Sequence, residues 1–470
     1  MAAPGTSERP LRVAIVGAGP AGFYVAEHLL RRSELVIDVD MFDRLPTPYG
    51  LVRAGVAPDH QKIKSVTAAF DKTAANPRFR FFGGVELGKH VDVEDLRAHY
   101  HQIVYTTGAQ TDRRMGIPGE DLPGSHPATE FVAWYNGHPD YRDCQFDLSQ
   151  ERVAVVGVGN VAVDVARVLC RTPEELEKTD VADYALEALR ASRVKEVYLL
   201  GRRGAAQAAF TNPEVKELGE LAAAEVSVVP DEVALDALSR ESLERSGDRA
   251  GFKKVEILQS YAGRPSAGKP RRLILRFLVS PVALLDTGAG AVGAVRLVRN
   301  RLVASATGTI QAQATDRFEE LPVGLVFRSV GYRGVPLPGV PFDDKWGVIL
   351  NEKGRVLDPD TKKPRPGEYT AGWIKRGPTG VIGTNKPDAL ETVMAMVEDV
   401  EAGRTAEPSD PDPAALGRFL RQRQPLVVGY ADWLRLNALE IARGQARGRP
   451  RLKFTRVDEM LTALGNRSAG

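Results

Sequence analysis

The chain has 470 residues, a length at which two domains are expected, because a single hydrophobic core stops growing at roughly 250–300 residues. It carries 63 Lys and Arg against 61 Asp and Glu, and this near balance argues against a dedicated nucleic-acid-binding protein. No apolar run approaches membrane-spanning length, and the first ten residues resemble neither a secretory nor an organellar targeting signal. We therefore expect a cytoplasmic protein, bacterial in origin, without membrane insertion.

The chain contains only two cysteines, Cys144 and Cys170, and they are far apart in sequence. This excludes a disulfide framework, a built-in iron–sulfur cluster and the CxxC thiol pair of disulfide reductases. No cysteine cluster with the spacing of metal ligands is present, so we expect no metal site. Any redox chemistry must then come from bound cofactors.

The first predicted element is an apolar β-branched run, residues 11–16, followed by a glycine turn and a helix-like segment. Gly17, Gly19 and Gly22 have the GxGxxG spacing, in which the glycines permit a tight turn, close approach of a pyrophosphate and packing of the helix on the strand. A second predicted strand ends at Asp43, where an acid accepts hydrogen bonds from ribose hydroxyls. Together these features predict a dinucleotide site.

A second turn of the same kind follows about 140 residues later, where Gly157, Gly159 and Ala162 give GxGxxA between a strand and a helix. After a helical insertion, the next predicted strand ends at Arg202 and Arg203 instead of an acid. Two guanidinium groups suit a 2′-phosphate by charge and geometry, so this site is predicted to bind NADP in preference to NAD. The alternative is a pair of surface arginines without a ligand.

Two more predicted strands, IVYTTGAQ and GLVFRSVGYR, mark where the chain passes between domains. The sequence therefore predicts an α/β fold with two Rossmann-like dinucleotide-binding domains, the second inserted into the first. The predicted bounds are 1–110 with 331–470 for the first domain and 111–330 for the second. Helices are expected from about residue 406, after a stretch rich in Pro and Asp.

Taken together, the motifs resemble the adrenodoxin reductase type of ferredoxin–NADP(+) reductase over nearly the whole chain. The stretches that carry this resemblance are VGAGPAGFYVAEHLL, PYGLVRAGVAPDH, FVAWYNG, GVGNVAVDVARVL, GRRG and AGWIKRGPTGVIGTNK. The resemblance implies that the discontinuous domain binds FAD and the inserted domain binds NADPH or NADP+. It further implies a transient complex with an acidic [2Fe–2S] ferredoxin, which receives electrons one at a time and commonly supplies a cytochrome P450.

Site residues follow from the same resemblance. The FAD contacts fall on Gly17, Gly19, Ala21, Gly22, Asp43, Leu51, Val85, Trp373, Gly380, Val381 and Ile382. The NADP contacts fall on Val158, Gly159, Asn160, Val161, Arg202, Arg203, Glu214 and Gly380. Asp43 stands where the family usually has Glu, and a Trp at a strand end such as Trp373 is otherwise a core residue.

Two residues are predicted to support catalysis. The resemblance places His60, which follows Asp59 directly, close to the flavin, where it would help to hold a proton or an ordered water. The alternative is a structural histidine. Glu214 follows Pro213, which could shift the reach of its carboxylate, and the alternative is an exposed glutamate at a helix start.

An acidic ferredoxin requires a basic docking face, although the overall charge is nearly neutral. The candidates are basic residues of the inserted domain: Arg202, Arg203, Lys216, Arg271 and Arg272. Two other functions use the same nucleotide folds. One is an NADPH flavoprotein oxidase or monooxygenase, and the other is a binding protein that senses the NADP(H) redox state without turnover.

Overall fold

The computed structural model describes residues 3–465, which fold into two compact units. The first unit consists of the residues up to Val56, of His60–Thr111 and of the residues from Tyr332 on. The second consists of Asp112–Gly331 together with the three-residue segment Ala57–Asp59. The predicted bounds did not include this short segment in the inserted domain. No helix of the described residues combines the length and hydrophobicity that crossing a bilayer requires.

The first stretch of the chain begins with a strand buried at all six positions, as expected for a strand covered on both faces. The helix after it starts at Pro20, whose fixed φ suits the first helical turn. The elements in this stretch are β1 (Leu11–Val16), α1 (Pro20–Leu30), β2 (Ile37–Asp43), α2 (Leu51–Ala54), α3 (Gln61–Lys64), α4 (Thr67–Ala74), β3 (Phe79–Gly83), α5 (Val93–His99), β4 (Gln102–Tyr105) and β5 (Thr111–Asp112).

The middle stretch repeats the alternation of strands and helices and ends in long antiparallel strands. Its elements are β6 (Ser125–Pro127), α6 (Ala128–Tyr135), β7 (Arg152–Val156), α7 (Asn160–Cys170), α8 (Pro173–Glu177), α9 (Asp183–Arg190), β8 (Glu196–Leu200), α10 (Asn212–Leu218), β9 (Ala224–Val228), α11 (Ala237–Ser246), α12 (Arg249–Ala262), β10 (Arg271–Arg276), β11 (Val279–Asp286), β12 (Val292–Ala304), β13 (Ile310–Pro322) and β14 (Leu325–Arg328).

The last stretch returns to the first unit with short strands and ends in helices. Residues 404–412 contain neither helix nor strand, and three helices follow them. The elements are β15 (Tyr332–Arg333), β16 (Phe342–Asp343), β17 (Val348–Ile349), β18 (Asn351–Glu352), β19 (Arg355–Leu357), β20 (Pro364–Thr370), α13 (Trp373–Arg376), α14 (Asn385–Glu401), α15 (Pro413–Arg423), α16 (Tyr430–Gln445) and α17 (Val457–Ala463).

The first unit is built on a seven-stranded sheet in the order β18-β19-β20-β4-β1-β2-β3. From β20 to β3 all neighbours are parallel, whereas β18 and β19 are antiparallel additions. Helices α1, α14 and α16 contribute buried residues such as Phe23, Met396 and Trp433 to one core with β1. Because β1 lies between β4 and β2, strand order reverses at its carboxyl end, where nucleotides bind in such sheets.

The second unit has a six-stranded sheet in the order β6-β14-β7-β8-β10-β9, and every pair in it is parallel. Strand β7 lies between β14 and β8, so this sheet has its own reversal of strand order. A separate antiparallel sheet is formed by β11, β12 and β13. The predicted α/β fold with two Rossmann-like units, one inserted into the other, is confirmed.

Asp112, at the start of the second unit, has a buried carboxylate oxygen without a hydrogen-bond partner. Burial raises the pKa of this carboxyl to about 6, although donors from Thr129 and Ala128 oppose the shift. The ordinary value is 3.8, so the folded state favours the protonated form, and ionisation destabilises the protein as the pH rises through 6. We expect Asp112→Asn to raise the free energy of unfolding by about 2–3 kcal/mol at pH 8 and not at pH 4.

Urea unfolding of both proteins across this pH range measures the effect. The exposed Asp316 provides the matched control, since Asp316→Asn removes the same charge where water already solvates it. An equal gain in stability at pH 4 and pH 8 would contradict the assignment to a buried carboxylate.

Candidate nucleotide sites

The first glycine turn is shaped by contacts that leave no room for side chains. Gly17 has φ +109°, and a Cβ there would lie 2.8 Å from the carbonyl group of Thr106. A Cβ on Gly22 would overlap the carbonyl oxygen of Gly17 and lie 2.9 Å from Thr106 Oγ1. Both glycines are therefore required by the packing of α1 and β4 around the end of β1.

Gly19 differs from these two, because no atom lies within 4 Å of the position of its Cβ. It is the N-cap of α1, where no side chain accepts a hydrogen bond from the first helical turn. By contrast, Asp92 caps α5 in a capping box. The first turn of α1, where Ala21 lies, thus has no side-chain cap, and the space beside Gly19 holds no protein atom within 4 Å of its Cβ position. This arrangement fits a pyrophosphate.

Asp43, at the end of β2, has its carboxylate turned toward the glycine turn. Its Oδ2 accepts a hydrogen bond from the N–H of Ala18 at 2.9 Å, and its Oδ1 accepts one from Leu45 at 2.9 Å. Burial raises the pKa of Asp43, and the two N–H donors oppose that shift. Since each carboxylate oxygen has a second lone pair, the fixed side chain can still accept a ribose hydroxyl.

The segment of Tyr49, Gly50 and Leu51, here called the PYGL turn, packs directly on the glycine turn. The N–H of Tyr49 donates to the carbonyl of Ala18 at 2.7 Å, and a Cβ on Gly50 would lie 3.0 Å from the Cα of Gly19. Leu51 is 40% exposed, so its side chain is accessible to a ligand. The other predicted contact, Val85, is buried and donates its N–H to the carbonyl of Asp43 at 2.9 Å.

Trp373 starts the short helix α13 and is half-buried, so the interpretation of this residue as core is wrong. The preceding Gly372 has φ +81°, and a Cβ on it would lie 2.5 Å from that of Ala21. Arg376 donates to the carbonyl of Thr379 at 2.8 Å and so holds the loop that follows. That loop presents the remaining predicted FAD contacts, which are exposed or half-exposed: Gly380, Val381 and Ile382.

In the second unit, the turn after β7 repeats the geometry of the first. Gly157 has φ +136°, and a Cβ there would overlap the carbonyl oxygen of Ser329 at the end of β14. Gly159 has no atom within 4 Å of its Cβ position and is the N-cap of α7, again without a side-chain cap. Ala162 is fully buried, as close packing of helix and strand requires. This end of β7 also fits a pyrophosphate.

The predicted contacts around this turn are tied to the segment before α10. The carbonyl of Val158 accepts from the N–H groups of Ala209 and Phe210 at 2.8 and 3.0 Å. The side-chain oxygen of Asn160 accepts from the N–H of Thr211 at 2.9 Å. Val161 packs partly buried against the hydrophobic core. Three hydrogen bonds therefore join the turn to the segment 209–211.

Arg202 and Arg203 follow β8 at the carboxyl edge of the same sheet. Arg202 is exposed and Arg203 half-buried, and neither guanidinium forms an ion pair or hydrogen bond with any residue from 3 to 465. Burial lowers the pKa of Arg203, and the neighbouring charge of Arg202 lowers it further. Two unpaired positive charges side by side are unfavourable unless an anion joins them, so the pair fits a 2′-phosphate.

Comparisons with known proteins agree with this geometry. Residues 11–229 match the family described as pyridine nucleotide-disulphide oxidoreductase. The chain is 47% identical to the NADPH-ferredoxin reductase FprA of Mycobacterium tuberculosis, over 96% of this chain and 99% of that protein. The chain belongs to the adrenodoxin reductase-type family of ferredoxin–NADP(+) reductases. The human mitochondrial NADPH:adrenodoxin oxidoreductase is 42% identical over 98% of this chain and 93% of that protein.

A solved structure of M. tuberculosis FprA in complex with NADPH has a TM-score of 0.91 to this chain and 45% sequence identity, and the match covers 97% of this chain and 100% of that one. The predicted family is thus confirmed, and with it the reductase class and the cofactors FAD and NADP(H). The roles of individual residues in this reductase remain predictions.

Glu214 of this reductase lies in the first turn of α10 and is 9% exposed. Pro213 is the second residue of the helix and does not interrupt it, since proline is well tolerated in the first turn. Glu214 Oε2 accepts a hydrogen bond from Arg167 Nη1 at 3.2 Å. The alternative of an exposed glutamate at a helix start is therefore wrong, and the carboxylate is fixed by a buried partner.

A buried ionic cluster surrounds Arg167, and none of its ion pairs was predicted from the sequence. Arg167 is fully buried on α7, and its Nε donates to Asp59 at 2.7 Å and its Nη2 to Asp164 at 2.7 Å. Arg171 also donates to Asp59 at 2.7 Å. Although burial opposes ionisation, the carboxylates raise the pKa of Arg167. The three-residue spacing of Asp164 and Arg167 on an otherwise apolar helix could have indicated an ion pair between them. The pairing of Arg167 with Asp59 could not be predicted, because the two residues are remote in sequence.

His60 belongs to the first unit, half-buried at the N-cap of α3. Its neighbour Asp59 belongs to the second unit and binds the two arginines of α7. The predicted supporting role of His60 remains a prediction.

The five basic candidates for ferredoxin docking do not share one face. Arg202 and Arg203 follow the carboxyl end of β8, whereas Arg272 pairs in register with Glu196 at the amino end of that strand. Arg272 also forms an ion pair with Glu196 at 3.1 Å, and Arg271 donates to the carbonyl of Arg171 at 2.6 Å. The structure therefore places these candidates at both ends of the sheet, and their role in ferredoxin docking stays a prediction.

Proposed function

We propose that this chain oxidises NADPH and passes the electrons one at a time to an acidic [2Fe–2S] ferredoxin, in a bacterial cytoplasm, with a cytochrome P450 as a downstream recipient. The observation that carries the donor assignment is the unpaired arginine pair, Arg202 and Arg203, beside the second glycine turn. The first glycine turn is followed instead by an acid, Asp43. The two turns thus differ in the charge that decides whether a 2′-phosphate or a ribose hydroxyl is bound.

In this proposal the first unit holds FAD. Gly19 and the start of α1 receive the pyrophosphate, and Asp43 accepts a ribose hydroxyl. Leu51 and the loop held by Arg376 provide apolar contact and backbone N–H groups for the flavin ring. When bound, FAD supplies the redox chemistry by taking two electrons from NADPH and releasing them singly.

The second unit holds NADPH in the same manner. Gly159 and the start of α7 receive the pyrophosphate, while Arg202 and Arg203 bind the 2′-phosphate. Glu214 is proposed to contact the nicotinamide nucleotide, with its carboxylate oriented by Arg167. These residues bind and orient the substrate, and orientation alone is worth up to about 7–11 kcal/mol of the barrier in favourable model systems.

The cysteines of this chain support direct electron exit from the flavin. Cys170 is fully buried, and burial raises the pKa of its thiol to about 12, so it stays protonated at neutral pH. Burial likewise raises the pKa of Cys144. Both are free thiols. A dithiol relay would need two reactive thiolates in contact, and neither cysteine offers one. The acceptor must therefore take electrons from the cofactor itself.

Anaerobic stopped-flow absorbance tests the proposal. The purified flavoprotein is mixed with NADPH or NADH, and the reduced protein is then mixed with a [2Fe–2S] ferredoxin. We expect fast flavin bleaching with NADPH, slow bleaching with NADH and recovery of the oxidised flavin spectrum upon addition of ferredoxin.

Other outcomes would point to the alternative functions. Recovery with oxygen and a small substrate, but with no ferredoxin, would indicate an oxidase or monooxygenase. Bleaching by NADPH that no acceptor reverses would indicate a sensor of the NADP(H) redox state. Either result would refute the reductase proposal.

A further inference from the structure

The C-terminal helix α16 contacts the PYGL turn through three side chains that are almost 400 residues away in sequence. We propose that Tyr430, Trp433 and Glu440 are positioning residues that hold this turn in the conformation that binds FAD. The inference rests on the proposed FAD site of the first unit. The inference gives α16 a role in cofactor binding, although none of the predicted site residues lies on this helix.

The PYGL turn needs external support because its backbone is strained. Tyr49 has φ +84°, a value that aromatic residues rarely adopt, and Gly50 has φ +46°. Such a conformation persists only when surrounding contacts enforce it. The position of the turn matters because Gly50 lies against Gly19, at the start of α1. A displacement of the turn would change the space available to the pyrophosphate.

One support acts on the side chain of Tyr49. Its hydroxyl and that of Tyr430 both donate to Asp71, and the two hydroxyl oxygens lie 2.9 Å apart. The indole Nε1 of Trp433 donates to the same Tyr49 hydroxyl at 3.2 Å. The two rings pack edge to face with centroids 5.6 Å apart. Asp71 and Trp433 thereby bond the far end of the strained residue directly, and Tyr430 bonds the same Asp71 oxygen.

The other support acts on α2, directly after the turn. Arg53 donates to Glu440 through both terminal nitrogens, at 2.8 and 2.5 Å, and its guanidinium lies over the Trp433 ring at 5.2 Å. Glu440 is fully buried and also accepts from Arg451 at 3.4 Å and from the N–H of Phe454 at 2.9 Å. A bidentate pair in a buried site fixes both distance and angle.

One support acts on Tyr49, the first residue of the turn, and the other acts on Arg53, two residues after the turn. Both supports come from side chains of α16. Loss of one support leaves the turn free to relax its strained backbone in the absence of FAD, and cofactor binding must then order it again. We therefore expect weaker FAD binding and faster FAD release, with little change in the KM for NADPH.

The test uses Tyr430→Phe, which removes only a hydroxyl, and Trp433→Phe, which removes the indole N–H and keeps a smaller aromatic ring, together with Glu440→Gln. FAD dissociation constants of the apoproteins are measured by quenching of flavin fluorescence, and the visible circular dichroism of the bound flavin reports its surroundings. We expect an increase of the dissociation constant of about 5- to 30-fold, the factor that follows from loss of a hydrogen bond of about 1–2 kcal/mol. The dichroism should change with it.

The matched control is Tyr261→Phe in the second unit. Its hydroxyl donates to the carbonyl of Val215 at 2.9 Å, so the substitution also deletes a bonded tyrosine hydroxyl, but in a unit that does not contain α16. The FAD dissociation constant of this variant should equal that of the unmodified chain. Far-UV circular dichroism of each apoprotein establishes that it is folded.

Unchanged FAD dissociation constants and dichroism in folded Tyr430→Phe and Trp433→Phe would overturn the inference, whatever Glu440→Gln does. Equal weakening by the Tyr261→Phe control would overturn it as well, since the effect would then be one of general stability. If the unmodified chain itself bound no FAD, the proposed function would fail, and that result is distinguishable from both outcomes.

Discussion

Replacement of Arg202 and Arg203 together by alanine is expected to raise the KM for NADPH at least about 100-fold while leaving that for NADH nearly unchanged. Hydrogen bonds to charged groups contribute about 1.5–3 kcal/mol each, and 1.4 kcal/mol corresponds to a factor of ten. Two such groups on one 2′-phosphate would contribute at least about 3 kcal/mol to NADPH binding, a factor of more than 100. NADH lacks this phosphate and loses nothing.

Steady-state kinetics with both nucleotides and an artificial electron acceptor measures this change without any ferredoxin. Arg272→Ala is the matched control, because it removes an exposed arginine from the opposite end of the same sheet. In this control variant, the ratio of the KM values for NADPH and NADH should equal that of the unmodified reductase. A double variant that kept its preference for NADPH would refute the 2′-phosphate assignment.

Gly19→Ala and Gly159→Ala are expected to separate the two nucleotide sites. A methyl group at either position meets no atom of the protein within 4 Å, and φ is −84° and −101°, which alanine adopts readily. Folding should therefore be unaffected, but the methyl group stands in front of a helix N-terminus where the pyrophosphate is proposed to lie. A steric conflict of about 1–3 kcal/mol would weaken binding about 5- to 150-fold.

The two variants serve as controls for each other. Gly19→Ala should purify with little FAD, whereas Gly159→Ala should keep its flavin and show a raised KM for NADPH. Flavin content is read from the visible spectrum and folding from far-UV circular dichroism. Loss of FAD from Gly159→Ala, or full retention by Gly19→Ala, would contradict the assignment of FAD to the first unit and NADPH to the second.

The sequence predicted the elements whose signals are local. The two glycine turns, Asp43 at a strand end and the arginine pair all lie within short motifs whose residue types follow from backbone conformation and charge. The structure then shows why Gly17 and Gly157 cannot be replaced, since each Cβ would meet a carbonyl group of a strand far along the chain. Local motifs thus predicted the turns but not their surroundings.

Contacts between remote segments could not be predicted in this way. Nothing near Arg167 indicates that Asp59 lies beside it, and nothing near Tyr49 indicates a partner on α16. The sequence likewise does not indicate that Arg203 and Arg272 lie at opposite ends of one sheet. A pattern in one segment specifies residue types, whereas the tertiary fold decides which of them meet.

The segment Ala57–Asp59 limits the modularity of this enzyme. Asp59 supplies hydrogen bonds to both Arg167 and Arg171, yet it lies more than fifty residues before the rest of the second unit. A fragment consisting of residues 112–331 would therefore contain a buried guanidinium without one of its counter-charges, a loss that costs several kcal/mol in a buried site. The second unit therefore cannot be removed, or exchanged between reductases, as one continuous segment. A transfer that keeps this unit intact has to include Ala57–Asp59 from the same reductase.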